Sequence, residues 1–437
     1  MTAIPRQELR FHPMSNGEAD ARLFSWRGGL YRALAGHKAD LCHDLLQKGV
    51  IEHLVAKGLL IDTHPTNLTL EPYDLIVLHR SIDFPSYPFE WCGEMLKDAT
   101  LLICDLQQEL APLGLTLADP HSWNVLFDGS KPVYVDLGSV VPANSVGTKS
   151  QLYSFCPFVL YPLLAMSQGQ TRIARWLLHD AVVGVREAEF SFLTKERFPE
   201  LRIPALVAQE GNVWRHIRER AADVTVPLTD TLWSDYSDDV PPLTPCDAWK
   251  AKQHNVHRVL CQLLPRTVLD IAANRGWYAQ LAATMGSRVV ALDTDDAGIT
   301  RCYADARAKS LSVLPLSMDF TFPAPAYGVG DKRSASATER LQCDLTLTLA
   351  LVHHLVFKQN RNFEMIVEAL TAFSGNWALV EFIPKEDRYV SEWWSERFCW
   401  YTLENFIKAL GRRFCEFTVL PSYPEPRVMI LCKRNEE

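Results

Sequence analysis

The chain has 437 residues, of which 48% are hydrophobic and 22% charged, a composition close to that of folded globular proteins and far from that of a disordered chain. Its length exceeds one ordinary core and calls for two or three domains. A formal net charge of −8 disfavours a surface built to grip a nucleic-acid backbone, which needs a basic stripe.

Met1 to Arg10 has no apolar signal-peptide core, and the most apolar run, Tyr153 to Met166, is short and broken by Pro157 and Pro162. The expectation is a cytoplasmic protein with no membrane span. The run RGGLYRAL, Arg27 to Leu34, reads as a hairpin turn with Arg32 in the strand after it, and Glu52 follows on a helix. A helical pattern covers Phe89 to Leu113. Next comes LADPHSWNVLFDGSKPVYVDLGS, Leu117 to Ser139, with an Asp, an Asn five positions later, a short hairpin and a DLG.

This stretch resembles the catalytic loop and metal-binding turn of the protein-kinase-like and aminoglycoside-phosphotransferase superfamily. The resemblance implies Asp119 as base, Asn124 and Asp136 as the groups that hold Mg²⁺, and Mg-ATP as a ligand. The departures are large. No glycine-rich loop of the right form precedes the motif, and Arg32 stands where the family's lysine would, without being its equivalent. Glu52 is the candidate partner acid. Phosphoryl transfer needs several charges assembled together, so a partial set points to a reduced domain that presents substrate or regulates.

Helical runs follow at Lys149 to Met166 and Gln170 to Val183, with apolar residues recurring at three and four. From Val226 to Cys246 the chain reads VPLTDTLWSDYSDDVPPLTPC, the composition of a linker. The expected domains are therefore 1–240, with a linker at about 226–247, and 248–437. The second part alternates β-branched runs with helical ones, the pattern of an α/β domain with a parallel sheet. Its strand candidates are Thr267 to Ile271, Val289 to Asp293, Ser312 to Met318, Leu345 to Ala350, Trp377 to Phe382, Glu416 to Leu420 and Val428 to Lys433. A polar stretch, Pro323 to Glu339, interrupts them as a long loop or insertion.

Within this part, VLDIAANRGWYAQLAA (Val268 to Ala283) reads as a buried strand ending near Asp270, a tight turn through Gly276 and a helix opening near Trp277. Such a turn brings backbone N–H groups and a helix N-terminus close to a ligand. The next strand ends in Asp293, placed to accept hydrogen bonds from a ribose diol. Asp319 follows the third strand, and His353 and His354 follow the fourth. In their order these signals resemble the class I S-adenosylmethionine-dependent methyltransferases, which implies a Rossmann-like seven-stranded sheet and S-adenosylmethionine as cofactor. By that resemblance Asp270, Ala272, Asn274 and Gly276 line the methionine end, Asp293 holds the ribose, Asp319 meets the adenine amine, and Leu349 to His353 wall the pocket near the sulfonium. The family's first two loop glycines are here Ala272 and Asn274; Ala is small and Asn tolerates left-handed angles, so the turn remains feasible. NAD fits less well, because a pyrophosphate needs the second glycine.

Methyl transfer to a hydroxyl needs positioning and a base, and His353 and His354 are the candidates, with a pKa near neutrality; the alternative is that one packs in the core and the other lines the cofactor pocket. Glu381, near the end of the fifth strand, is a candidate to orient an amine or hydroxyl acceptor, and Lys385, Glu386 and Asp387 beyond it read equally as solvated charges. The aromatic run Trp393, Trp394, Phe398, Trp400 and Tyr401 reads as packing before it reads as an acceptor wall. Eleven cysteines without a CxxC pair imply unpaired thiols and no zinc site. Kinase-like residues followed by such a domain resemble bacterial nodulation or natural-product methyltransferases, which implies a small-molecule or glycosylated acceptor. Two rivals remain: a phosphotransferase using Asp119, Asn124 and Asp136 with an S-adenosylmethionine-sensing second domain, and a non-catalytic scaffold.

Overall fold

The computed structural model describes residues 2–12, 15, 19–209, 211–229, 231, 240–329 and 334–435. Two compact units form: Met1–Pro227 with Ala326–Ser334, and Leu228–Pro325 with Ala335–Glu437. The division falls inside the stretch expected as a linker, of which 230 and 232–239 lie outside the described residues. The expected insertion at 323–339 is shared between the units; 330–333 lie outside the described residues, and Ser336 and Glu339 form a capping box on a short helix, Ala337–Arg340.

In the first unit an antiparallel sheet contains β1 (Arg10–Phe11), β2 (Ala21–Trp26) and β3 (Gly29–Leu34), then, after helices α1 (Gly36–Gln47) and α2 (Val50–Ala56), β4 (Thr63–Pro65) and β5 (Leu75–His79). Its order is β1-β2-β3-β5-β4. The β2–β3 turn is only Arg27 and Gly28, both at positive φ (47° and 79°), the geometry that a two-residue hairpin requires. The long amphipathic α3 (Gly93–Leu110) follows, then β6 (Leu115–Leu117), the hairpin of β7 (Val125–Asp128) and β8 (Lys131–Tyr134), and β9 (Val140–Pro142), which pairs with β6. The remainder is helical; the run expected as one helix over Lys149–Met166 is α4 (Thr148–Phe155), a π-helical turn at Cys156–Leu160 that contains Pro157, and α5 (Tyr161–Ser167).

The second unit opens with α6 (Ala251–Leu263) and then alternates strands and helices: β10 (Thr267–Ile271), α7 (Trp277–Thr284), β11 (Arg288–Asp293), α8 (Asp296–Ala308), β12 (Val313–Ser317), β13 (Cys343–Thr348), α9 (Val352–Phe357), α10 (Phe363–Phe373), β14 (Ser374–Phe382), α11 (Arg388–Trp393), α12 (Leu403–Leu410), β15 (Phe414–Pro421) and β16 (Val428–Arg434). All seven expected strands are present. They form one sheet in the order β12-β11-β10-β13-β14-β16-β15, parallel except for β16, which runs antiparallel to both its neighbours. The central strands are buried on both faces, which is why they read as continuous apolar runs. Side chains such as Val268, Leu281, Val289, Leu345 and Leu431 share one core. The strand order reverses between β10 and β13, so their carboxyl ends open the crevice where sheets of this kind take ligands.

Among the described residues no helix is long and apolar enough to cross a membrane, and no disulfide forms.

Candidate functional site

The loop leaving β10 is shaped by its backbone. Ala272, Asn274 and Gly276 all take left-handed angles, with φ of 59°, 51° and 72°. The alternation expected of three glycines is therefore adopted by three different residues. At Gly276 no side chain fits, because a Cβ would strike the Sγ of Cys302. Asn274 supports its own strained conformation, since its Oδ1 accepts from the Arg275 N–H at 2.7 Å, the local bonding that lets Asn visit this region. Ala272 has no such aid and bears a strain of about 1 kcal/mol.

Carboxylates pin this loop. Asp293 Oδ2 accepts from the Asn274 N–H at 2.7 Å and its Oδ1 from the Asp295 N–H at 2.9 Å, so one side chain joins the loop after β10 to the turn after β11. Burial pushes the Asp293 carboxyl up, against the pull of those N–H groups. Asp270, 2% exposed, accepts from the Ala279 N–H at 3.1 Å, one of the unsatisfied donors of the first turn of α7. Burial pushes its carboxyl up to about 7. Asp319 follows β12, half-buried, with Oδ1 accepting from the Thr321 N–H and hydroxyl at 2.7 and 2.8 Å. The Met318 N–H donates to the Asp293 carbonyl at 2.9 Å, which brings the ends of β11 and β12 together. Arg275 lies in the same loop, but its guanidinium is engaged by Asp305 at 2.9 Å.

At the end of β13, Leu349 is buried and Ala350 is left-handed at φ 54°. The Ala350 N–H donates to Glu381 Oε2 at 2.8 Å, the Lys252 ammonium lies 2.8 Å from the same oxygen, and the Ser422 hydroxyl donates to Oε1. Glu381 is wholly buried. The expectation that it orients an acceptor is corrected: the carboxylate is wholly enclosed and faces Ala350, Lys252 and Ser422, so it positions the strand end. Sequence reading missed Lys252 and Ser422, which lie far from Glu381 along the chain and carry no local signal. Asp387, read as a solvated charge, is also corrected. It caps α11 through the Tyr389 N–H and forms a buried ion pair with Arg427 at 2.7 Å.

His353 is buried, its ring 4.1 Å from that of His354 and nearly parallel to Trp393 at 5.9 Å, and His354 lies 5.2 Å from Trp393. Burial first, then the neighbouring His354, Arg427 and Lys252, pushes His353 down to about 2; burial and Lys358 push His354 to about 4. A base that titrates near neutrality is therefore not available from either. The His353 Nδ1 and the Thr348 hydroxyl are buried without hydrogen-bond partners among the described residues. The aromatic run divides: Phe398 and Tyr401 pack inside, with the Tyr401 hydroxyl donating to the Ile383 carbonyl at 2.9 Å, whereas Trp393 and Trp394 remain half-buried.

In the first unit, Asn124 Nδ2 donates to the Asp119 carbonyl at 2.9 Å, the Tyr134 hydroxyl donates to the same carbonyl at 2.7 Å, and the Ser154 hydroxyl donates to Asp119 Oδ1. Arg32 forms an ion pair with Asp136 at 3.1 Å, with little exposure of either side chain. Glu52 is exposed on α2, and the expectation that it partners Arg32 is corrected in favour of Asp136. A cavity of about 210 Å³ lies beside α1, walled mainly by Leu34, Leu41, Leu45, Leu137 and Val140.

No protein-family model matches the chain. The nodulation protein NoeA of Rhizobium meliloti (strain 1021) is 25% identical over 401 residues, 83% of this chain and 84% of that protein. Among solved structures, the magnesium protoporphyrin IX methyltransferase of Synechocystis PCC 6803 with bound SAM is 12% identical, covers 42% of this chain and 79% of its own, and has a TM-score of 0.30. The N-methyltransferase NodS from Bradyrhizobium japonicum WM9 is 12% identical over 42% of this chain and 97% of its own, with a TM-score of 0.30. The bifunctional kinase-methyltransferase WbdD is 18% identical over 41% of this chain and 37% of its own, with a TM-score of 0.29.

Proposed function

We propose that the chain is an S-adenosylmethionine-dependent methyltransferase acting on a small-molecule or glycosylated acceptor, with the cofactor at the carboxyl edge of β10, β11 and β12. One observation carries the reading: a seven-stranded sheet with an antiparallel β16 bears, at its point of strand reversal, the left-handed 272–274–276 loop tied to Asp293. The donor set fits this cofactor. Asp270, Asp293 and Asp319 bring three acidic groups to one edge, where a cationic ligand favours their ionised forms, and the loop's cation, Arg275, is engaged by Asp305. Such an edge attracts a ligand with an ammonium, a sulfonium and a ribose diol and repels a pyrophosphate.

When bound, the cofactor supplies its methyl group, the acceptor's lone pair bonding to the methyl carbon as the carbon–sulfur bond breaks toward sulfur. The residues of the chain then serve orientation. Asp293 holds the loop and the diol, Glu381 sets the backbone of Ala350 beside Leu349, and the neutral ring of His353 offers Nδ1 to a polar group of the acceptor. Because burial holds down the basicity of the His353 ring, it is a poor sink for the proton that the acceptor loses, and that proton passes to solvent. Proximity and orientation supply the rate.

The amino-terminal unit is read as a reduced kinase-like domain that assists acceptor binding or regulation. Its polar set does not fit Mg²⁺ as arranged, because Asp136 is neutralised by Arg32 and Asp119 Oδ1 is taken by Ser154, and no phosphoryl-transfer step is assigned to it. A thermal-shift panel of S-adenosylmethionine, S-adenosylhomocysteine, NAD and Mg-ATP tests the whole reading, since a ligand that binds only the folded state raises its melting temperature. The first two stabilise the protein if the proposal holds. Stabilisation by NAD or Mg-ATP alone refutes it.

A further inference from the structure

The acceptor's chemical class is written in the surroundings of Trp393. This half-buried ring lies beside both histidines, and the Lys358 ammonium sits 4.1 Å over its centre. Next to it, Lys385 lies 5.4 Å over Trp394 and Arg388 lies 4.4 Å over Tyr389. All three cations are exposed, and none forms a salt bridge among the described residues, although Glu386, Glu392 and Glu396 are close in sequence. Elsewhere in the same unit Arg275 pairs with Asp305, Arg412 with Glu364 and Lys433 with Glu416, while Lys250 over Tyr423 and Arg397 over Phe398 rest singly on rings; Lys358, Lys385 and Arg388 are three such cations on rings close together in sequence, Trp393, Trp394 and Tyr389.

Three unpaired cations resting on three aromatic rings make a surface with two unfilled capacities. The rings can stack on a flat face, and the cations, which no carboxylate holds, can turn onto a negative group, Lys358 and Lys385 from ring faces and Arg388 by giving up its hydrogen bond to the Tyr389 hydroxyl. A second observation points to a ligand at the same place. His353, 3% exposed, keeps a buried Nδ1 with no hydrogen-bond partner among the described residues. A polar nitrogen left this way costs the folded protein free energy until something bonds to it.

We propose that the methyl acceptor is an anionic ring compound: a ring that stacks on Trp393 and Trp394, a carboxylate, phosphate or sulfate that takes Lys358, Lys385 and Arg388, and a hydroxyl or amine that hydrogen-bonds to His353 Nδ1. The inference rests on the methyltransferase reading and adds the acceptor's charge and shape to it.

The test uses the full-length protein saturated with S-adenosylhomocysteine and titrated calorimetrically with two matched pairs, 4-hydroxybenzoate against 4-hydroxybenzamide and glucosamine 6-phosphate against glucosamine. The anionic member of at least one pair should bind at least tenfold more tightly than its neutral partner, and the preference should shrink as salt is raised. The triple variant Lys358→Ala, Lys385→Ala, Arg388→Ala should lose that preference while its affinity for S-adenosylhomocysteine is unchanged. Equal binding within both pairs, no binding by any member, or an undiminished preference in the triple variant overturns the inference. If S-adenosylhomocysteine itself fails to bind the unaltered protein, the methyltransferase reading falls, and this inference with it.

Discussion

Cofactor affinity should depend on pH through Asp270. Its carboxyl is removed from water at the end of β10, and burial outweighs the Ala279 N–H and Lys252 to push it up to about 7, with Asp293 adding to the rise. At neutral pH the ligand-free protein is thus divided between acid and carboxylate. A ligand that brings positive charge to this edge selects the carboxylate, so apparent affinity follows its fraction: about 3% at pH 5.5 and about 90% at pH 8, a gain of about 30-fold, or ~2 kcal/mol. Calorimetry with S-adenosylmethionine across that range, in two buffers of different ionisation enthalpy, reads both the affinity and the proton released. Asp270→Asn keeps an oxygen for the Ala279 N–H and should flatten the profile; ionisation of the ligand's own amine is common to both proteins and cancels in the comparison. Without ligand the linkage has the opposite sign. The unfolded carboxyl titrates near ~3.9, so between about pH 4 and 7 the folded state holds a proton that the unfolded state lacks, and this group's contribution to stability falls as pH rises through that window. An affinity constant within twofold from pH 5.5 to 8, or the same slope in Asp270→Asn, would refute the reasoning.

Gly276→Ala should destabilise the protein by about 2–3 kcal/mol, from its left-handed φ and the collision with Cys302, lowering the melting temperature and abolishing cofactor binding; Asn274→Gly, at a position whose backbone suits glycine, should bind as the parent does. Glu381→Gln removes the carboxylate that the largely covered Lys252 ammonium pairs with and should cost about 3 kcal/mol in urea denaturation, a loss partly recovered by adding Lys252→Met. With His353 and His354 held down to about 2 and 4, neither gains a proton at working pH, so kcat/KM measured with any accepted substrate should show no acid limb from them between about pH 5.5 and 8. Their contribution to stability should instead be lost as pH falls below about 6.5, where the unfolded histidines take up protons, and a denaturation series over that range checks it.

The sheet was legible because its signals are local. A strand buried on both faces is rich in apolar and β-branched residues over its own length, so TVLDI, RVVALD and CDLTLT announce themselves without reference to partners, and β10, β11 and β13 form at or within two residues of the expected bounds. The loop after β10 was legible for a similar reason: alternation of small or Asn residues with Gly276 is a property of five consecutive positions, and all three take the left-handed angles that the alternation implies. Asp293 and Asp319 were visible as acids at strand ends.

What the sequence left open is the state of each polar group once remote segments have covered it. Glu381 and Lys252 stand 129 positions apart and pair only because α6 and β14 belong to one folded unit. The same holds for Asp387 with Arg427, for Asp136 with Arg32, and for the histidines, whose residue type suggests titration near neutrality until burial takes their charged form away. Backbone conformation and apolar periodicity are short-range and can be read along the chain. Solvation and charge pairing are set by whatever lies nearby in three dimensions, and only the tertiary structure decides which carboxylate works as a ligand group and which holds the scaffold.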